Sequence, residues 1–112
     1  LVSGDLRRAM PRFQGEHLDA NLRWLPAYRA IAAEAGCTPA QLAIAWLLHK
    51  APHILPLPGT TQVAHLEENL AAADVSLPAQ LIERLDALVN QHTVSGGRYP
   101  AANESEVDTE TF

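Results

Sequence analysis

One cysteine, one lysine and an aromatic share of 5% are the scarcest features of this 112-residue chain, and each shortage excludes something. A lone thiol, Cys37, forms no internal disulfide, so the fold makes no demand on an oxidising compartment and a cytoplasmic setting is expected. Cys37 follows Gly36 between two helical stretches and reads as a packed or half-exposed side chain. Without a cysteine cluster, a metal site would need histidines at helical spacing. His17, His53 and His92 share no such register, so no metal site is expected. Eight Lys and Arg stand against thirteen Asp and Glu, a formal charge of −5 that disfavours nucleic acid, whose phosphates need clustered cations. Long apolar runs are also missing. Leu42–Leu48 falls far short of the roughly 20 residues that cross a bilayer, so no membrane partner is expected. The opening LVSGDLRRAMPRF lacks an initiating Met and the charged-then-apolar order of a secretory leader, and reads as a cut inside a larger protein.

What is present is 47% hydrophobic and 19% charged, a globular composition for one domain. Residues 1–18 mix Gly, Pro and charge and read as a strand end followed by a loop. From Asp19 to Ala35, Leu22, Leu25, Tyr28, Ile31, Ala32 and Ala35 recur at helical spacing, with Pro26 either starting or kinking the helix. Gly36 is placed to end it. In TPAQLAIAWLLHK, Thr38 and Gln41 form a capping box around Pro39 at the first helical position. That helix is apolar nearly all round and is expected between other elements, with Ala40, Ala43 and Ala45 permitting close approach. Trp24 and Trp46 are expected in helix packing, and His49 and Lys50 suit the negative end of the helix dipole. HILPLP, residues 53–58, reads as one buried strand of a parallel sheet. Helices are expected over Thr61–Ala73 and Pro78–Asn90, the latter with a stripe of Leu81, Ile82, Leu85, Leu88 and Val89. From Thr93 onward, Gly, Pro and acidic residues predict loop or disorder.

The stretch LPLPGTTQVAHLEEN, residues 55–69, carries the most chemistry. At about 100° per residue, Val63, Leu66, Leu70 and Ala73 share one face of its helix and should bury. Thr61, Gln62, His65, Glu68 and Asn69 share another. Thr60 and Thr61 fall at the helix start, where free amides and the dipole attract an anion, and Gly59 lets a ligand approach the backbone. A phosphate at the helix mouth and a flat base along Glu68 and Asn69 would satisfy this pattern. On the residues alone, an ordinary threonine cap followed by a solvated Glu-Glu-Asn face is the more common origin of such a pattern.

The run TPAQLAIAWLLHK…HILPLPGTTQVAHLEENLAAADVSL…LIERLD…GGRYP, with DLRRAMPRFQGEHLDANL near the start, resembles the C-terminal part of aldo-keto reductases. It is most similar to the bacterial aldehyde and aryl-alcohol reductase-like members, related to potassium-channel β subunits. The resemblance implies an α/β fold, the C-terminal part of a (β/α)8 TIM barrel that is mostly helical as an isolated segment. Residues 53–57 would be its eighth strand, Thr61–Ala73 its eighth helix and Asp19–Lys50 a broken seventh helix. Residues 1–92 would then belong to the barrel segment and 93–112 to a C-terminal tail. Loops after the last strands of such barrels hold phosphate. By resemblance, Gly59, Thr60, Thr61 and Gln62 meet the 2′-phosphate and ribose of NADPH. His65 stands where many members carry arginine, and Glu68 and Asn69 hold the adenine. The first turn here has no Lys or Arg, so selectivity for NADP(H) over NADH would depend on amides, hydroxyls and protonated His65.

The implied substrate is a small carbonyl compound, an aldehyde or ketone reduced by hydride transfer. The implied catalytic Asp, Tyr, Lys and His set precedes this segment in the family. Lys50, Tyr28 and Tyr99 do not match it, so no catalytic residue is assigned and the segment alone is expected to be inactive. Arg98-Tyr99 matches a Gly-x-Arg-Tyr element near the family's C-terminus, either a border of the substrate mouth or a structural turn. Two rival readings are a non-catalytic NADP(H)-binding regulatory subunit of the same fold, and a small helical interaction or DNA-binding module. The acidic balance and the isolated apolar strand weigh against the latter.

Overall fold

In the computed structural model, which describes residues 1–107, every regular element is helical. The α-helices are α1 (Gly15–Arg23), α2 (Leu25–Ala35), α3 (Pro39–Lys50), α4 (Val63–Ala71) and α5 (Ala79–Leu88). Short 3-10 turns occupy Leu6–Ala9, Pro11–Phe13, Ala72–Asp74 and Ala101–Glu106. The chain divides into two compact units: Leu25–Leu88, and Leu1–Trp24 together with the chain from Val89 onward.

The unit Leu25–Leu88 holds the core. Ile31 and Ala32 of α2, Leu42 and Ala45 of α3, Leu77, and Leu81 and Leu85 of α5 pack together, flanked by Tyr28, Cys37, Trp46 and Ile82. α3 packs against α2, α4 and the turn after α4, and α2 packs against α5. Leu42 and Ala45 are fully buried, and the small Ala45 side chain lets neighbouring helices come close. The expected enclosure of α3 is incomplete, because Leu47 and Leu48 remain 36% and 38% exposed.

Local chemistry sets the helix ends. At the end of α2 the Cys37 amide donates to the Ala32 carbonyl (3.0 Å) and the Gly36 amide to Ala33 (3.1 Å), with Gly36 at φ +70°. This 6→1 and 5→2 pair is the Schellman arrangement, and its left-handed residue favours glycine. α3 opens with the expected capping box: the Gln41 amide donates to Thr38 Oγ1 (3.2 Å) and the Thr38 amide to Gln41 Oε1 (3.1 Å). Near its other end, Lys50 Nζ and Trp46 Nε1 both donate to Asp86 Oδ1 at 2.8 Å, tying α3 to α5. The Lys50 ammonium also lies 4.7 Å from the Trp46 ring centre.

The break expected near Pro26 is present: Asp19–Ala35 is covered by two helices that meet at Trp24, and a helix starts there with Pro26 the second residue of α2. Proline has no amide for the Leu22 carbonyl, which instead accepts from the Trp24 amide. Contrary to the expected strand, residues 53–58 form no strand. A strand needs a ladder partner, no other described segment supplies one, and Pro56 and Pro58 have no amide to give. Leu55 and Leu57 are accordingly not buried but 82% and 96% exposed. The α/β class is thus not expressed as a sheet among the described residues, whereas the expected mostly helical character holds.

Among the described residues, the other unit contains none of the buried core residues. Asp5 caps its first turn by accepting from the Arg7 amide (2.9 Å), and the Arg7 guanidinium grips the same carboxylate at 2.6 Å. These bonds hold the Asp5 carboxyl down at about 2. Against the expected strand end and loop over 1–18, and loop or disorder from Thr93, the described chain has no strand there but short 3-10 turns, and α1 already begins at Gly15. The part of the tail expectation that falls on residues 108–112 lies outside the described residues.

Candidate functional site

The segment Gly59–Asn69 leads from the extended run into α4 and lies wholly within the unit Leu25–Leu88. Thr60 Oγ1 accepts from the Gln62 amide and donates to the Gln62 carbonyl, both at 3.1 Å, closing a tight turn just before the helix. Gln62, not a threonine, is the N-cap residue, and its side chain makes no capping bond. The first helical bond runs from the Leu66 amide to the Gln62 carbonyl at 3.0 Å. The amides of Val63, Ala64 and His65 therefore have no acceptor within α4 and project at its positive end. Gly59, Thr60, Thr61, Gln62 and His65 are all exposed. A methyl group placed on Gly59 would meet nothing within 4 Å, so no contact inside this chain requires glycine there.

Glu68 and Asn69 lie two turns along α4 and are half-buried. The Glu68 carbonyl accepts from Gln41 Nε2 at 3.0 Å, so Gln41 both completes the α3 capping box and fastens α3 to α4. Nothing in the local pattern around Gln41 announces this second bond, since its partner is 27 residues away. The start of the expected helix is thus shifted from Thr61 to Val63, and its α-helical part ends at Ala71 before a 3-10 turn through Asp74.

The burial of α4 is the reverse of expectation. Val63, Leu66 and Leu70 are 73%, 47% and 67% exposed, and Ala73 is exposed too. The partly covered residues are instead Glu68 and Asn69, and no α4 residue is buried. An amphipathic helix buries its apolar stripe only where a second surface exists to receive it. The described residues offer none to this stripe.

Other chemistry-bearing residues do not join the segment into a catalytic set. Tyr28 donates to the Pro39 carbonyl at 2.7 Å, and burial pushes its phenol up to about 12, away from the range of a proton donor near neutrality. Lys50 is engaged by Asp86 and the Trp46 ring. Burial pushes the Cys37 thiol up, which disfavours the thiolate a nucleophile needs. Among the described residues no group of three or more His, Cys, Asp or Glu is placed to hold a metal ion. No single described helix is long and apolar enough to cross a membrane.

The segment is an apolar, strand-free run followed by a helix whose first turn has no side-chain cap. The sequence profile of the aldo/keto reductase family matches residues 3–90. The chain belongs to that family. Among known proteins it is similar to aldo-keto reductase yakc of Schizosaccharomyces pombe, whose name carries NADP(+), with 38% identity over 108 residues. That match covers 96% of this chain but 32% of the relative, so the chain spans about a third of the relative's length.

Proposed function

We propose that this chain is the C-terminal, dinucleotide-binding third of an NADP(H)-dependent aldo-keto reductase that reduces aldehyde or ketone carbonyls. The family match over residues 3–90 carries this reading, and the local geometry supports it. Under it, the chain supplies the end of a (β/α)8 barrel: residues 53–57 enter a sheet completed by other parts of the protein, and α4 is the eighth helix. The exposed leucines at 55, 57, 66 and 70 then have a partner surface.

The residues present fit a phosphorylated ribose at the α4 opening. The amides of Val63, Ala64 and His65 are donors at a positive helix end, Thr61 and Gln62 add exposed polar groups, and Gly59 leaves room beside the backbone. His65 adds an exposed imidazole that donates to the phosphate. Asn69 offers both a donor and an acceptor to the adenine edge and Glu68 accepts from an exocyclic amine. When bound, the coenzyme supplies the hydride. This chain's own residues hold its distal end and so place it, a contribution to orientation rather than to proton transfer. The partner is a small carbonyl substrate. NADH remains the alternative coenzyme because the first turn lacks Lys and Arg.

The test is turnover of 4-nitrobenzaldehyde with NADPH by the complete polypeptide, alongside the 112-residue chain alone. Turnover by the former and none by the latter is expected. Tight NADPH binding without turnover by the complete polypeptide would instead identify a non-catalytic regulatory subunit.

A further inference from the structure

The unit formed by Leu1–Trp24 and the chain from Val89 onward is joined by hydrogen bonds rather than by a core. Asn21 receives the Ser95 amide on Oδ1 at 2.7 Å and donates from Nδ2 to the Ser95 carbonyl at 2.9 Å. One side-chain amide thus pairs with both backbone groups of a single residue, as a neighbouring strand would. Its Nδ2 also reaches the Arg12 carbonyl at 3.4 Å. Arg12 Nε donates to the Gly96 carbonyl at 3.0 Å, and His17 Nδ1 lies 2.8 Å from Ser95 Oγ. The bonds to Ser95 and Gly96 span 74 to 84 residues of sequence. Gly96 is drawn close enough that a Cβ would stand 3.0 Å from His17 Cγ and 3.2 Å from the Arg12 nitrogen, and its φ is +87°. None of the residues involved is fully buried.

We propose that residues 94–100 form a strap, latched to the N-terminal segment by Arg12, His17 and Asn21, that opens and closes as a local unit. Hydrogen bonds at partly solvated sites exchange for bonds to water, and none of the latch residues is buried, so opening exposes little apolar surface. Asn21 is the keystone because it alone satisfies both the amide and the carbonyl of Ser95. The strap carries the exposed Arg98 and the half-buried Tyr99, just beyond the latch bonds at Ser95 and Gly96. This inference is independent of the reductase reading, since it concerns one unit and its own hydrogen bonds.

Hydrogen exchange on the intact chain tests it, comparing wild type with Asn21→Ala and, separately, Gly96→Ala, which leaves Asn21 in place but crowds His17 and Arg12. The Ser95 amide is expected to exchange at least tenfold faster in both variants, with peptides from α3 and α5 unchanged. Trypsin cleavage after the exposed Arg98 should accelerate in parallel. Unaltered protection at Ser95 would overturn the latch. An equal rise in α3 and α5 would overturn local opening, because the strap would then be part of the global fold.

Discussion

His65 is exposed in the first turn of α4, where Lys and Arg are absent. Under the proposed reading its imidazole donates a hydrogen bond to the 2′-phosphate, a group NADH lacks. His65→Ala in the complete protein should therefore weaken NADPH binding by roughly fivefold, the worth of a hydrogen bond of about 1 kcal/mol, and leave NADH binding unchanged. Dissociation constants for both coenzymes check it, and an equal loss for the two contradicts it. At this scale the sequence exposed the polar residues of the site but not their bonding. Thr60 turns onto Gln62 instead of capping α4, and Gln41 reaches Glu68 across 27 residues. Long-range bonds of single side chains leave no periodic trace.

The end of α2 and the start of α3 were legible because they are local. Thr38, Pro39 and Gln41 form the capping box their spacing announces, and Gly36 takes the left-handed conformation that ends α2. Each device has a measurable worth. Thr38→Ala should cost about 1 kcal/mol through loss of the acceptor for the Gln41 amide. Gly36→Ala should cost about 1 kcal/mol as well, because an L-residue is held at φ +70° although nothing crowds a Cβ there. Urea denaturation of each variant reads both. Destabilisation below a few tenths of a kcal/mol would show that the core, not the caps, sets these boundaries. The element that sequence reasoning misjudged was residues 53–58. Its apolar composition suits a buried strand, yet strand formation is decided by a partner, and the described chain offers none. The same cause reversed α4, whose apolar stripe was readable while its exposure in this chain was not.

At the scale of the molecule, the two misjudged elements are adjacent. Leu55, Leu57, Val63, Leu66 and Leu70 are all exposed; under the proposed reading they face the rest of the barrel. A chain that matches 32% of a relative's length and leaves this surface uncovered behaves as part of a larger fold under the proposed reading. The core around Leu42, Ile31 and Leu85 is local to α2, α3 and α5, and was anticipated from helical periodicity because it needs nothing from outside.

The most direct test of this account is hydrogen exchange on the complete polypeptide with and without NADP+, read at residues 59–70. Coenzyme should slow exchange at the Val63, Ala64 and His65 amides, the donors left open at the head of α4. Saturating coenzyme that protects other regions and leaves those three amides exchanging as before would contradict it.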